Sequence, residues 1–338
     1  MRPVYCMHTL KCIVFSSFLV FLSCQSMAAV HPKQQEANQI ITELYHSLEH
    51  LSNPDMANRL DAISAQFLGK PYILGALGEG MKARFDQEPR YRVDAFDCDT
   101  YVTTVLAIAL AKDQQGFKQC MSRVRYKDGK VSFITRNHFM SLDWNPNNQQ
   151  QGFIRDITGT FRDKDNKPVA EIASALIDKP SWYQHFTDKN IHLNPSDENE
   201  RIKRLAELKE RGSKLPKQLA QVPYLPFTAL FDAQGNPNLF LFAQIPNASI
   251  IEIVRPNWDI REQIGTNLNV SHLGFAFWKQ GILYFRQASS KFGHVVEVPL
   301  IDYLHEALSS PTIKGINVEV IVPQVPLSDN CNISPRVF

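Results

Sequence analysis

Cysteine is scarce in this chain: 338 residues hold 6, and Cys6, Cys12 and Cys24 fall in the first 28. The remaining Cys98, Cys120 and Cys331 are too few, and odd in number, for a disulfide framework. In an oxidising compartment Cys120 could pair with Cys331 and leave Cys98 as the free thiol, a pairing that spacing alone leaves open. Metal-ligand spacing is also lacking. There is no HExxH, and His305-Glu306 has no second histidine, which argues against a zinc enzyme; no metal or cofactor is expected. Glycine numbers only 15, and Gly75, Gly78 and Gly80 meet neither the P-loop spacing nor GxGxxG, which argues against nucleotide binding. Charge of one sign is not in excess either. Of 36 basic residues Arg2 and Lys11 lie in the first 28, leaving 34 against 34 acidic ones, so nucleic acid is not the expected partner. No hydrophobic run is long enough to span a bilayer as a stable helix.

What the chain does have begins with an export signal. Arg2 and Lys11 precede the apolar run Ile13 to Leu22, and Ser26-Met27-Ala28 offers small residues for cleavage. We expect residues 1–28 to be a signal peptide, 29–338 to form a single catalytic domain, and the mature protein to be periplasmic. The alternative is a lipoprotein anchored through Cys24, although Phe21-Leu22-Ser23 match a lipobox poorly.

The stretch around which the rest is organised is Asp94 to Ala111. Helix formers dominate after Thr104 and Asp97 or Asp94 can cap the start, so Cys98 falls in the first turn, where backbone N–H groups point outward. That position predicts a thiolate, with the Cys98 N–H free to receive an oxyanion. A buried structural cysteine is the plainer alternative. The helix is apolar nearly all round, which predicts burial between layers.

Before it, Gln34 to about Leu68 has helical spacing broken at Ser52-Asn53-Pro54, and an amphipathic helix is expected from Phe117 to Tyr126. His138, Asp143 and Trp144 are candidates for lining a sugar or peptide cleft, or for packing at a domain edge. Residues 158–221 are polar and read as an inserted helical lobe, with a solvated charged helix from Asp197 to Arg211. The last hundred residues alternate at strand length: Ser249–Val254, Val270–Trp278, Ile282–Gln287, His294–Val298 and, after a helix from Leu300 to Leu308, Asn317–Val322. Helices first and strands later make an α+β fold rather than a doubly wound sheet.

His272 lies in the first strand of a hairpin and Gln287 ends the second. With a two-residue turn at Lys279-Gln280 the two are directly opposed, about 5 Å apart at Cβ. A bulge at Gly281 would shift that register and could bring Ala288 opposite instead. A Cys-His pair with a third polar group is what thiol-based acyl transfer requires.

The strings Gly69-Lys70-Pro71-Tyr72, Phe96-Asp97-Cys98, Ser271-His272-Leu273-Gly274 and Gln287-Ala288-Ser289-Ser290 resemble, in order, the NlpC-type papain-like cell-wall cysteine amidohydrolases. Arg125-Tyr126-Lys127-Asp128-Gly129, Arg136-Asn137-His138-Phe139, Asp143-Trp144, Asp156-Ile157-Thr158 and Pro223-Tyr224-Leu225-Pro226 resemble their N-acetylmuramoyl-L-alanine amidase-like subfamily, formerly a domain of unknown function. The resemblance implies a papain-like core with Cys98 as nucleophile at the N-terminus of a buried helix packed on an antiparallel sheet. It also implies His272 as base, Gln287 at the third position, Tyr72 beside the site, and peptidoglycan or muropeptide as substrate. Asp97, Arg136, His138, Asp143 and Trp144 join Tyr72 as candidate substrate-binding residues. Three residues depart from the pattern: Gln287 stands where many relatives have histidine, Asp99 replaces a small residue, and Thr103 occupies a position often acidic. The expected activity is hydrolysis of the amide between N-acetylmuramic acid and L-alanine. Its rivals are an endopeptidase cutting stem-peptide bonds and a non-catalytic wall-binding module, the latter disfavoured by the intact Cys98 and His272.

Overall fold

The computed structural model of the chain describes residues 30–51, 55–329 and 331–332; the expected signal segment 1–28 and Cys24 lie outside them. Helices α1 (Pro32–Leu48), α2 (Met56–Ala65), α3 (Cys98–Leu110) and α4 (Gln114–Arg125) come first, followed by α5 (Asn145–Gln150) and the short strand β1 (Ile154–Asp156). Strand β2 (Glu171–Asp178) leads into α6 (Lys179–Gln184) and α7 (Glu198–Ser213), and β3 (Lys217–Pro226) leads back. After the single turns α8 (Phe227–Leu230) and α9 (Leu239–Phe242) come β4 (Ser249–Asp259), α10 (Arg261–Ile264), β5 (Asn267–Lys279), β6 (Ile282–Ser289), β7 (His294–Pro299), α11 (Leu300–Ala307) and β8 (Gly315–Ile321).

The strands form an eight-stranded sheet in the order β2-β3-β8-β4-β5-β6-β7, with β1 paired to β8. Every pairing is antiparallel. Along β5 the side chains alternate between two layers, as the pleat requires. Leu273, Phe275 and Phe277 join the core built with α1 to α4, while Ala276 packs with Leu283, Phe285 and Leu304 on the other side.

Helix α3 is the middle of the larger core. From Thr100 to Leu110 every residue is buried, which explains why its sequence is apolar all round. Its start is fixed by a reciprocal capping box: the Asp97 carboxylate accepts from Thr100 N at 2.8 Å, and the Thr100 hydroxyl accepts from Asp97 N at 2.9 Å. Cys120 of α4 is bonded to Cys331, so the open pairing in the sequence is made and the C-terminal segment is tied to the helical layer.

Residues 158–221 are not a separate polar lobe. β2 and β3 are long strands of the same sheet, and only α6, α7 and their connections project from it. The ribbon curls so that β2 lies against β4 and β5, with Ala173, Val222, Tyr224, Val254 and Val270 packed between them. Burial alternates along β2, with Ala173, Ala175 and Ile177 inward and Ile172 and Leu176 exposed, so both faces carry apolar residues and the sequence shows no polar-apolar alternation.

Two carboxylates, Glu252 and Glu319, are buried beneath α5, and a third, that of Asp156, is half-buried beside them. Glu252, on β4, accepts from Asn145 Nδ2 at 3.0 Å, Glu319 from Gln149 Nε2 at 2.8 Å and Asp156 from Asn317 Nδ2 at 2.6 Å. Burial lifts all three pKa values, Glu252 to about 8 from an ordinary 4.5. A carboxyl raised in the folded state contributes stability that is complete below its unfolded pKa and lost as pH rises through the folded one. Glu252→Gln should therefore raise the thermal midpoint by an amount that grows from about pH 4.5 to about pH 8 and give no gain below about pH 4.5. Thermal melts of both proteins across that range check this, and a gain independent of pH would contradict it.

Candidate active site

The loop before α3 is held as firmly as the helix. Asp97 Oδ2 accepts from Gly75 N at 2.8 Å, Tyr72 and Phe96 form a parallel bridge, and Tyr72 N donates to Gly293 O at 2.8 Å. Cys98 thus has a fixed place on α3, half-buried and the free cysteine among the described residues. The first-turn amides are shared out. Thr100 and Tyr101 bond back to Asp97, and the Asp99 N–H is directed at the Cys98 sulfur. The Cys98 N–H has no acceptor among the described residues, so it can receive a developing oxyanion.

The sulfur lies at β5, where the Leu273 N–H also points to it. The neighbouring residue in the strand is His272, whose Nε2 is hydrogen-bonded to Gln287 Oε1. Because an amide oxygen only accepts, the ring carries its proton on Nε2 and leaves Nδ1 as the basic nitrogen. The register differs from the expected one. Lys279 pairs with Ile282 and Phe275 with Arg286, so the turn is Gln280-Gly281, both with positive φ (51° and 80°). His272 and Gln287 are therefore diagonal, not directly opposed. Gly274 lets the amide reach across: a Cβ there would lie 3.0 Å from the Gln287 Cβ and 2.6 Å from the Arg286 carbonyl oxygen.

Two tyrosines flank the pair. Burial, then closeness to the Cys98 sulfur, whose thiolate would repel a phenolate, pushes the phenols of Tyr72 and Tyr303 up to about 12, so both remain hydrogen-bond donors at neutral pH. Tyr303, on α11, has its ring 6.4 Å from that of His272. Nothing in the helical spacing of Leu300–Leu308 had marked it as part of a site.

The electrostatics correct one expectation. Burial, then the carboxylates of Asp97 and Asp99, push the Cys98 thiol up to about 12, while burial pulls the His272 imidazole down to about 4. Both shifts favour the uncharged forms, so burial and the two carboxylates oppose the thiolate expected from the helix start. Alkylation of Cys98 by iodoacetamide should accordingly speed up about tenfold per pH unit between pH 7 and 9. A rate already level across that range would contradict the neutral pair.

Asp99 departs from the usual small residue, and the structure gives it a partner in the other departure. Thr103 Oγ1 donates to Asp99 Oδ1 at 3.0 Å and accepts from Trp144 Nε1 at 3.1 Å. Burial, then Asp97, raises Asp99 to about 6. Trp144 is 1% exposed and packs behind α3, so it supports the helix from the core and does not line a cleft. Asp143 pairs with Lys179 at 2.6 Å. Asp97 has both carboxylate oxygens taken by backbone amides, which makes it a scaffold residue in place of a substrate ligand.

Arg136 and His138 do border a cavity of about 520 Å³, together with Leu74, Gly75, Phe133, Trp182, Phe186 and His192. Arg136 is paired with Glu79 and Asp86, and Arg125 donates to the carbonyls of Leu77 and Gly78 at 2.8 Å, so these arginines hold the loop carrying Gly75. His138 Nε2 lies 2.8 Å from Phe133 O, and burial keeps the ring neutral. The aromatic wall of Trp182 and Phe186 was missed. Its signal is Trp182-Tyr183 and Phe186, dense aromatics inside an otherwise polar segment. Among the described residues no group of three or more His, Cys, Asp or Glu is arranged to hold a metal, and no helix is long and apolar enough to cross a membrane.

An α+β chain with this antiparallel sheet is similar to solved amidase structures, among them an N-acetylmuramoyl-L-alanine amidase of Bacteroides uniformis. That structure is 24% identical, covers 79% of this chain and 99% of its own, and superposes with a TM-score of 0.55. A protein of Legionella pneumophila strain Philadelphia 1 is 56% identical, covers 87% of this chain and 97% of its own, and superposes at 0.85. The chain belongs to the N-acetylmuramoyl-L-alanine amidase-like family, whose model matches residues 62–313. No curated protein matches it.

Proposed function

We propose that the chain is a periplasmic cysteine amidase with a papain-like site, hydrolysing the bond between N-acetylmuramic acid and L-alanine in peptidoglycan or its fragments. The observation that carries this reading is that the Cys98 sulfur, at the α3 start, takes the Leu273 N–H one residue along β5 from His272, whose ring is hydrogen-bonded to Gln287. His272 Nδ1 takes the Cys98 proton as the sulfur attacks the lactyl carbonyl carbon. The oxyanion is received by the Cys98 N–H and the Tyr72 phenol. The imidazolium then gives its proton to the leaving α-amine of L-alanine, and water, activated by the neutral imidazole, hydrolyses the thioester. The cavity lined by Phe133, His138, Trp182 and Phe186 opens beside Gly75, and its aromatic faces suit a sugar ring.

Export to the periplasm is supported by the signal-like segment 1–28 and by the Cys120–Cys331 bond, which persists in an oxidising compartment. Mass spectrometry of digested muropeptides tests the bond choice. Free N-acetylmuramoyl sugar with intact stem peptides is expected; shortened stems still joined to the sugar would make the enzyme an endopeptidase.

Gln287 carries no charge, so its part is to orient the ring. Gln287→Ala should lower kcat by about tenfold to a hundredfold, as for losing a hydrogen bond to a group that becomes charged, and change KM little. Gln287→His, which restores a ring acceptor, should keep most activity. Wild-type kcat for Gln287→Ala would remove the orienting role.

A further inference from the structure

One guanidinium near the proposed reaction centre has no counter-ion. Strands β4 and β5 are bulged back to back at this point: Ile253 faces His272 but Val254 faces Val270, leaving Ser271 as an extra residue, and three residues of β4 then face one of β5 before Trp258 meets Leu268. Bulges of this kind re-aim side chains. Arg255 comes from the second and its Nε donates to Ser271 Oγ in the first at 3.0 Å. Its Nη1 donates to Thr312 Oγ1 at 2.6 Å, and the guanidinium lies over the Trp258 ring, 4.4 Å from the centroid.

These partners are two hydroxyls and an indole, all uncharged. Among the described residues no carboxylate pairs with Arg255, and its Nη2 has no acceptor, whereas Arg136 and Arg286 are each paired with two carboxylates. Burial lowers the pKa of the guanidinium, the mark of a cation partly stripped of water without compensation. Tyr303 connects this group to the centre, since it lies within electrostatic reach of both the Cys98 sulfur and Arg255 and its ring is tilted against that of His272.

We infer that Arg255, laid over Trp258, binds a free carboxylate of the substrate's peptide. The side of the cleft follows from the chemistry: the imidazolium must reach the leaving nitrogen, so the peptide departs on the His272 side, where Ser271 and Tyr303 place Arg255. Stem peptides supply such a group when the second residue is linked through its side-chain carboxyl, which leaves its α-carboxylate free. An anion accepting from Nη2 and the open Nη1 hydrogen would satisfy the guanidinium in the forked geometry that arginine favours. The inference rests on the amidase reading only for which group leaves.

The test uses N-acetylmuramoyl tripeptides whose second residue bears either a free α-carboxylate or a carboxamide. The full chain should cleave the carboxylate form with a kcat/KM about tenfold to a hundredfold higher, mostly through KM, as for a charge-assisted hydrogen bond. In Arg255→Met that ratio should fall to near one, and in Arg255→Lys to an intermediate value. No preference in the wild type, or a preference that survives Arg255→Met, overturns the inference. Calorimetric binding of the same two compounds to Cys98→Ser reads the carboxylate preference without turnover, so a failure to cleave the muramoyl bond would sink the amidase reading and still leave Arg255 tested. Free N-acetylmuramic acid, which carries its own carboxylate, should inhibit wild type and Arg255→Met equally; relief of its inhibition in Arg255→Met would assign the arginine to the sugar product and overturn the peptide assignment.

Discussion

Cys98→Ala should fold normally and hydrolyse muropeptides at least about ten-thousand-fold more slowly than the wild type. The sulfur is the atom that would carry the acyl group, and no other described cysteine is free to replace it. His272 and Gln287 would keep their hydrogen bond in the variant but have no thiol to deprotonate. The fold is insulated from the change because the capping box is made by Asp97 and Thr100, and the buried face of α3 begins at Thr100. Turnover by chromatography and a thermal melt of the same sample check both halves. A variant within tenfold of the wild-type rate would require another nucleophile.

The second large effect concerns stability. Cys120→Ser should destabilise the protein by about 3 to 5 kcal/mol, because a link between positions 211 residues apart removes much of the freedom of the unfolded chain. Both cysteines are 0% exposed, and near the bond Leu327 N donates to Leu110 O at 2.8 Å, so the C-terminal segment closes over the end of α3. Dithiothreitol should lower the melting temperature of the wild type towards that of the variant and leave the variant unmoved. Equal melting temperatures for oxidised and reduced wild type would contradict a stabilising bond.

The sequence made some of this visible and hid the rest for physical reasons. α3 was legible because eleven successive buried positions demand an apolar run, and of the two caps the sequence offered, Asp94 and Asp97, the structure uses Asp97. The hairpin carrying His272 and Gln287 was legible as alternating strands, but its register was misread: Gly281 supplies the positive φ that a two-residue turn needs and marks Gln280-Gly281 over Lys279-Gln280, while Gly274 decides how far the amide reaches only once Gln287 lies beside it. β2 and β3 were hidden because one face of the ribbon is exposed and charged residues flank it, so composition suggested a lobe. The expected thiolate failed for a different reason. The helix start is a local feature, whereas the pKa of Cys98 is set by burial and by carboxylates on both sides of it. Trp144 reads as an aromatic beside a motif, and only packing reveals that it supports Thr103 from within the core. Tyr303 and Arg255 come from elements distant in sequence, and no spacing joins them to His272.

The central claim is that Cys98 attacks the lactyl carbonyl and is transiently esterified by the sugar half of the substrate. Rapid acid quench of the enzyme with a soluble muropeptide, followed by intact-protein and peptide mass spectrometry, tests it most directly. An N-acetylmuramoyl thioester is expected on the peptide containing Cys98, absent from Cys98→Ala and accumulating to a larger fraction when Gln287→Ala slows its hydrolysis. An adduct carrying a piece of the stem peptide, an adduct on any other residue, or turnover with no covalent species at any quench time would contradict it.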